Sequence, residues 1–174
     1  MAVVLTGPAG GPQAVARRVV ALSDPDEAET KQPYHDGFYK TEENAVEIAR
    51  RVKIVKRCAK KSIAALVEEL GVGSRAALVV GSVIDPATVG NPHIRAHAHE
   101  GRLFRTVLED ALRAHGIESD VLVEKQLAAA AATRLRGSSG NITTTLIAFS
   151  QTLGKPWGAD EKAAATAAWL ALLT

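Results

Sequence analysis

The stretches Ala76-Ala77-Leu78-Val79-Val80 and Asp120-Val121-Leu122-Val123, with one long amphipathic segment between them, decide the fold of this chain. Both are short and almost continuously apolar. The first is flanked by Gly73-Ser74 and Gly81-Ser82, and Gly116 precedes the second, so both read as buried strands. Between them a loop from Gly81 to Pro92 leads into a helix from about Ile94 to His115. There Phe104, Val107, Leu108, Ala111 and Leu112 recur on one face, and Gly116 stops the helix. Two strands joined through a helix have room for a crossover and are expected to lie parallel.

Upstream, Thr41 is positioned as an N-cap with Glu42 and Glu43 in the first turn, and no Gly or Pro follows until Gly71. This predicts one long helix whose buried stripe is Ile48, Val52, Val55, Ala59, Ile63, Leu66 and Leu70. The chain opens with a strand from Ala2 to Leu5 and a Gly/Pro turn through Pro12. Ala14 to Leu22 fits two readings, a second hairpin strand or a short helix with Val15, Val19 and Leu22 on one face. Ser23 to Lys40 is polar and acidic but contains Tyr34, His35, Asp36, Gly37, Phe38 and Tyr39, a cluster suited to cover a core edge. Downstream, Gln126 to Leu135 is an alanine-rich helix and 136–141 a linker. Ile142 to Leu153 is strand-like in its threonines and helix-like beyond them. Gly158-Ala159-Asp160 opens a last helix that packs through Trp169, Leu170 and Leu173.

The 174 residues, 47% hydrophobic and 23% charged, are enough for one α/β domain, residues 1–174, with a real core. Lys+Arg 21 against Asp+Glu 19 gives a net charge of +2, so an anionic partner must be argued from where charges sit. A single cysteine, Cys58, neither staples the chain nor forms a thiolate metal site alone. No apolar run approaches the roughly 20 residues of a membrane span, and Ala2 to Leu5 is far too short for a signal peptide's hydrophobic region. A soluble cytoplasmic protein with no membrane partner is the expectation.

Two groups of residues carry candidate chemistry. In open α/β sheets ligands bind beyond the carboxyl ends of strands, which points to Ser82, Asp85 and Asn91-Pro92-His93. On the helix that follows, His93, His97 and Glu100 project to the same side as the apolar stripe, and polar groups there need partners. Asp85, His93, His97 and Glu100 are therefore candidate catalytic residues, holding a divalent metal or forming an acid/base group. The structural alternative has His93 capping the helix, His97 bonded to a carbonyl and Glu100 paired with a basic residue. His99 faces the other way, with Arg95, Arg102, Thr106, Glu109 and Arg113, as ordinary surface.

The second group is the basic stripe Arg50, Lys53, Lys56, Arg57, Lys60 and Lys61, with no acid between Glu47 and Glu68. Such a face suits a phosphate backbone, with the Arg134 to Gly140 stretch as a further contact. No aromatic residue is interleaved for base stacking. The alternative is a solvated face paired with acids of the Asp24 to Glu29 segment or with another subunit of a homo-oligomer. Cys58 lies among these cations as a half-buried helix residue.

An opening hairpin, a long helix, then strand, helix, strand, helix and a closing helix resembles the ribonuclease H-like fold, and within it the Holliday-junction resolvases. Met1-Ala2-Val3-Val4-Leu5 before a Gly/Pro turn, Ala77-Leu78-Val79-Val80, and the helix from His97 to His115 feeding Val121-Leu122-Val123 carry the likeness. It implies a three-layer mixed sheet with flanking helices, and carboxylates at three places that hold two metal ions. Here the first place falls on Thr6, Gly7 or Pro8 and the second on Gly81 or Ser82. Only Asp160 and Glu161 stand where the third acidic pair belongs. The resemblance thus implies a nucleic-acid-binding protein without the two-metal nuclease site. The alternatives are a small metal-dependent or acid/base enzyme built on Asp85, His93, His97 and Glu100, and a structural or regulatory homo-oligomer.

Overall fold

Ala2–Thr6 (β1) and Gln13–Arg18 (β2) pair antiparallel, with Val3 opposite Arg17 and an irregularity between Val4 and Leu5. The turn between them is closed by the Gly11 N–H donating to the Pro8 carbonyl at 2.9 Å. Residues 13–18 are therefore strand. The helix reading fails because period two puts Ala14 and Ala16 inward and leaves Val15 50% exposed.

The computed structural model describes residues 1–37, 40–71, 73, 75–135 and 142–173. It is a mixed α/β protein whose residues gather into two compact units, one of 1–19, 70–81 and 116–174, the other of 20–69 and 82–115. No helix among the described residues is long and apolar enough to cross a membrane.

In the first unit Arg75–Val80 (β3) and Glu118–Val123 (β4) run parallel, with Leu78 opposite Val121. The described strands pair two by two, where the ribonuclease H-like resemblance implies a single mixed sheet. Three helices complete the described part of this unit. They are Glu124–Arg134 (α3), Ile142–Leu153 (α4) and Ala159–Ala171 (α5). The α4 segment is helical because Ile142, Leu146, Phe149 and Leu153 share one face and all join the core, which outweighs the strand preference of its threonines. Trp169 of α5 is fully buried, edge-on to Phe149 at 6.1 Å between ring centroids, and its indole N–H donates to the Ala9 carbonyl at 2.8 Å. Burial of the ring is thus accompanied by a satisfied donor.

At the start of α5 the Glu161 carboxylate accepts from the Gly158 N–H at 2.8 Å, and the Arg17 guanidinium lies 3.8 Å away. Arg17 also donates to the carbonyls of Lys155 and Pro156.

The second unit is built on two helices, Ala45–Leu70 (α1), of which all but Leu70 belongs to it, and Pro92–Arg113 (α2). Val55 and Ala59 of α1 and Leu103 and Val107 of α2 form its core, with Leu22, Tyr34, Val52 and Phe104 packed around them. The N-cap of α1 is Asn44 rather than Thr41. Its Oδ1 accepts from the N–H groups of Val46 and Glu47 at 3.0 and 3.4 Å, while Thr41 forms an isolated β-bridge with His35. α2 begins at Pro92, capped by Asn91 Oδ1 accepting from the Ile94 N–H at 3.1 Å. Gly71 and Gly116, at φ +53° and +73°, follow the two helices in the left-handed region that glycine occupies without strain.

The hydrogen bond from the Gly158 N–H, then that from Glu161's own backbone, then Arg17 and the chain N-terminus hold the Glu161 carboxyl below the usual carboxylate range, against the opposing effect of burial. A lowered carboxyl favours the folded state above its ordinary value, and this contribution fades as pH falls through the lowered one. Glu161→Gln is expected to lower the urea midpoint at pH 7 and to approach the parent protein in acid. A midpoint difference that stays constant across pH would contradict this role.

Candidate metal centre

The polar loop before α1 and the first two turns of α2 meet around one buried carboxylate. Glu100, 6% exposed, faces inward on α2 because it sits three residues before Leu103 and seven before Val107, on the buried stripe. Its Oε1 lies 2.8 Å from His35 Nδ1 and accepts from the Tyr34 N–H at 3.2 Å. Its Oε2 lies 3.3 Å from His97 Nδ1. A carboxylate held this way pairs with the His35 ring and the Tyr34 N–H on one oxygen and stands beside the His97 ring on the other.

His35, His93 and His97 stand together on the other side of this carboxylate. Ring centroids are 4.4 Å apart for His35 and His97, 4.7 Å for His93 and His97, and 5.0 Å for His35 and His93. One nitrogen from each ring can be chosen so that all three lie within 4.8 Å of one another, the one such group of possible metal ligands among the described residues. His93 and His97 lie one helical turn apart on α2. A His35 tautomer that donates from Nδ1 to Glu100 leaves the lone pair on Nε2. Among the described residues this buried Nε2 has no hydrogen-bond partner.

The loop carrying His35 is held from α1. Buried Arg51 donates to the His35 carbonyl and to Glu42 Oε2, both at 2.8 Å. The Glu42 N–H donates to the Tyr34 carbonyl at 3.0 Å, and the Asp36 N–H to the Lys40 carbonyl at 3.0 Å. The Tyr34 ring stacks on His99 at 4.9 Å, so His99 is half-buried rather than ordinary surface. Burial first, and the Glu100 charge second, push the Tyr34 phenol above its usual range, against the pull of Arg102.

Three of the four candidate residues, His93, His97 and Glu100, thus converge, and Asp85 does not join them. Asp85 is exposed, caps the short 3-10 turn Pro86–Thr88 by accepting from the Ala87 N–H, and lies 3.7 Å from Arg102. A cap is the ordinary use of an aspartate beside a proline turn. Neither histidine plays the capping role, which belongs to Asn91, and Glu100 is paired with histidines rather than with Lys or Arg. His35 and Arg51 were not among the sequence candidates.

The basic residues lie on the opposite side of α1 from Arg51. Arg50 is engaged by Glu27 and Glu47, and Arg57 by Asp24 at 3.2 Å, so the acidic 24–29 segment does supply partners, to the arginines. The hydrogen bonds that Arg50 donates to Glu27 and Glu47 raise its guanidinium further above its already high value. Lys53, Lys56, Lys60 and Lys61 are exposed and form no ion pair among the described residues. Cys58 is half-buried. The expected phosphate-contacting stretch 136–140, like Phe38 and Tyr39 of the aromatic cluster, lies outside the described residues.

In the first unit a cleft of about 560 Å³ between the β1–β2 turn and α4 is lined by Gln13, Thr144, Thr145, Phe149 and Thr152 among others, with no ionisable side chain among the described residues that line it. Comparison with protein families, curated proteins and solved structures finds no match to this chain.

Removing the Glu100 carboxylate leaves His35 Nδ1 and the Tyr34 N–H without their acceptor in a buried place. Glu100→Ala is expected to destabilise the protein by about 3 kcal/mol. Asp85→Ala, at an exposed cap, is expected to cost about 1 kcal/mol or less. Urea unfolding of the two variants beside the parent checks this ordering, and equal losses would deny Glu100 its central place.

Proposed function

We propose that the second unit is a small metal-dependent enzyme module whose ion, a divalent cation of the zinc class, is held by His35, His93 and His97. The observation that carries this reading is His35 Nε2, a buried ring nitrogen without a hydrogen-bond partner among the described residues, beside two further imidazoles. A buried polar atom left unpaired costs roughly 1–3 kcal/mol, and a coordinate bond to a cation removes that cost.

Imidazole nitrogens favour zinc, copper, nickel and iron over calcium or magnesium, which prefer oxygen. Glu100 acts behind the ligands. By accepting from His35 Nδ1 it fixes the tautomer that leaves Nε2 available and makes that nitrogen a better donor. Ligands on an ion at about 2.1 Å in tetrahedral geometry stand roughly 3.4 Å apart, so binding draws the rings inward from their spread of up to 4.8 Å. The His97 side chain, 46% exposed, has the freedom to make that movement. His35 is fixed at both its ring and its carbonyl.

Isothermal titration of the metal-stripped protein with zinc is expected to show one ion per chain. His35→Ala should weaken binding by roughly 100-fold, Glu100→Gln by about 10-fold, and Asp85→Ala not at all. Unchanged affinity in both His35→Ala and His97→Ala would overturn the reading.

A second reading, nucleic-acid binding of the kind the ribonuclease H-like resemblance implies, is supported by the four lysines of α1 that no acid among the described residues neutralises. Binding there would be electrostatic and would weaken steeply with salt. The triple variant Lys53→Glu, Arg57→Glu and Lys60→Glu is expected to abolish binding to duplex or single-stranded DNA, read by fluorescence anisotropy at low salt. Retained affinity in a folded triple variant would remove this reading.

A further inference from the structure

Resting on the metal reading, we infer that the histidine centre keeps a fourth coordination position for water, and that the protein hydrolyses carbonyl esters through the hydroxide formed there. The inference comes from counting donors. Structural zinc-class sites are closed by four protein ligands, whereas catalytic ones hold three and leave one position to water. Here the group stops at three, since no fourth histidine, cysteine or carboxylate joins it among the described residues.

Other possible ligands on α2 and in the turn before it are committed elsewhere. Both oxygens of Glu100 are engaged, by His35, His97 and the Tyr34 N–H. The His99 ring stacks on Tyr34, and Asp85 faces Arg102 and the Ala87 N–H. His97, half-exposed, gives the centre an edge on solvent from which water and substrate can enter.

Three neutral imidazoles leave the ion its full double charge, and a water bound to such an ion is acidic enough to supply hydroxide near neutral pH. A single ion suits carbonyl substrates better than phosphate diesters, whose hydrolysis commonly uses two ions about 4 Å apart. One three-ligand group offers no second seat.

In the reaction, the bound water releases a proton to solvent and the hydroxide oxygen forms a bond to the ester carbonyl carbon. The ion stabilises the negative oxygen that develops there. The bond from carbon to the alkoxide oxygen then breaks, and the alcohol leaves with a proton from solvent. Ester and water become acid and alcohol, with no oxidant or reductant consumed.

The test uses the full chain loaded with cobalt(II), whose visible spectrum reports its coordination, titrated with thiocyanate. The zinc-loaded protein is assayed in parallel on p-nitrophenyl acetate. A cobalt spectrum that changes with thiocyanate is expected. So is ester hydrolysis that falls at least 10-fold on removal of the ion and in His97→Ala, a variant at a half-exposed position, confirmed folded by circular dichroism. Stoichiometric cobalt binding with a spectrum indifferent to thiocyanate would overturn the open position while leaving the metal reading intact. A thiocyanate-sensitive spectrum without ion-dependent hydrolysis would overturn the esterase activity. Absence of cobalt binding would end both.

Discussion

The second unit depends on a carboxylate placed where a helix should be apolar. Glu100 lies on the buried stripe of α2, and a buried charge is tolerated only where hydrogen bonds replace water. Here the replacement comes from outside the helix, through the His35 ring and the Tyr34 backbone. The need to satisfy one side chain therefore determines where an otherwise polar loop docks. Arg51 does the same from α1, holding the His35 carbonyl and Glu42 with a guanidinium that is itself buried. Two charged residues on two apolar stripes fix the loop between them, and the three imidazoles meet as a consequence.

The first unit is organised differently. Its core closes on Trp169, an apolar ring with a single polar handle, and on alanines of α3 and α5 that let these helices approach closely. Its ionic contacts, Arg17 with Glu161 and Arg75 with Glu118 and Asp120, tie segments distant in sequence at the margins of a packed core. Such pairs adjust register and add little energy where they are exposed.

Local pattern explains why most elements could be read in advance. The parallel pair β3 and β4, the long α1 and the inward turn of Glu100 follow from periodicity within one element, whereas His97, expected on the same face, lies at its exposed edge. Boundaries shifted where two capping residues compete. Thr41 and Asn44 both precede α1, and Thr41 is drawn into a bridge with His35, leaving the cap to Asn44. His35 was illegible for a different reason. It lies 58 residues before His93 in a loop without periodicity, and only the tertiary docking of that loop brings the two rings together. Arg51 did leave a signal. It falls three residues after Ile48 and four before Val55, on the apolar stripe, where a cation must find buried partners. The sheet organisation was the least legible part, because strand neighbours are set by packing that no single strand encodes.

The two candidate surfaces of the second unit are separated by the geometry of one helix. A residue that binds the histidine loop and one that meets a polyanion cannot share a face of α1 when one face is buried and the other solvated. Arg51 lies on the first, and Lys53, Lys56 and Lys60 on the second. The division of labour among the cations follows their chemistry. The guanidinium's planar set of donors lets Arg50 meet Glu27 and Glu47 together and Arg51 meet a carbonyl and a carboxylate together. Lysine ammonium groups are compact and strongly hydrated, and those of α1 remain in solvent. The histidine group and the basic face are thus independent features of one scaffold, and a change that neutralises the lysines leaves the histidine group's supports, Glu100 and Arg51, in place.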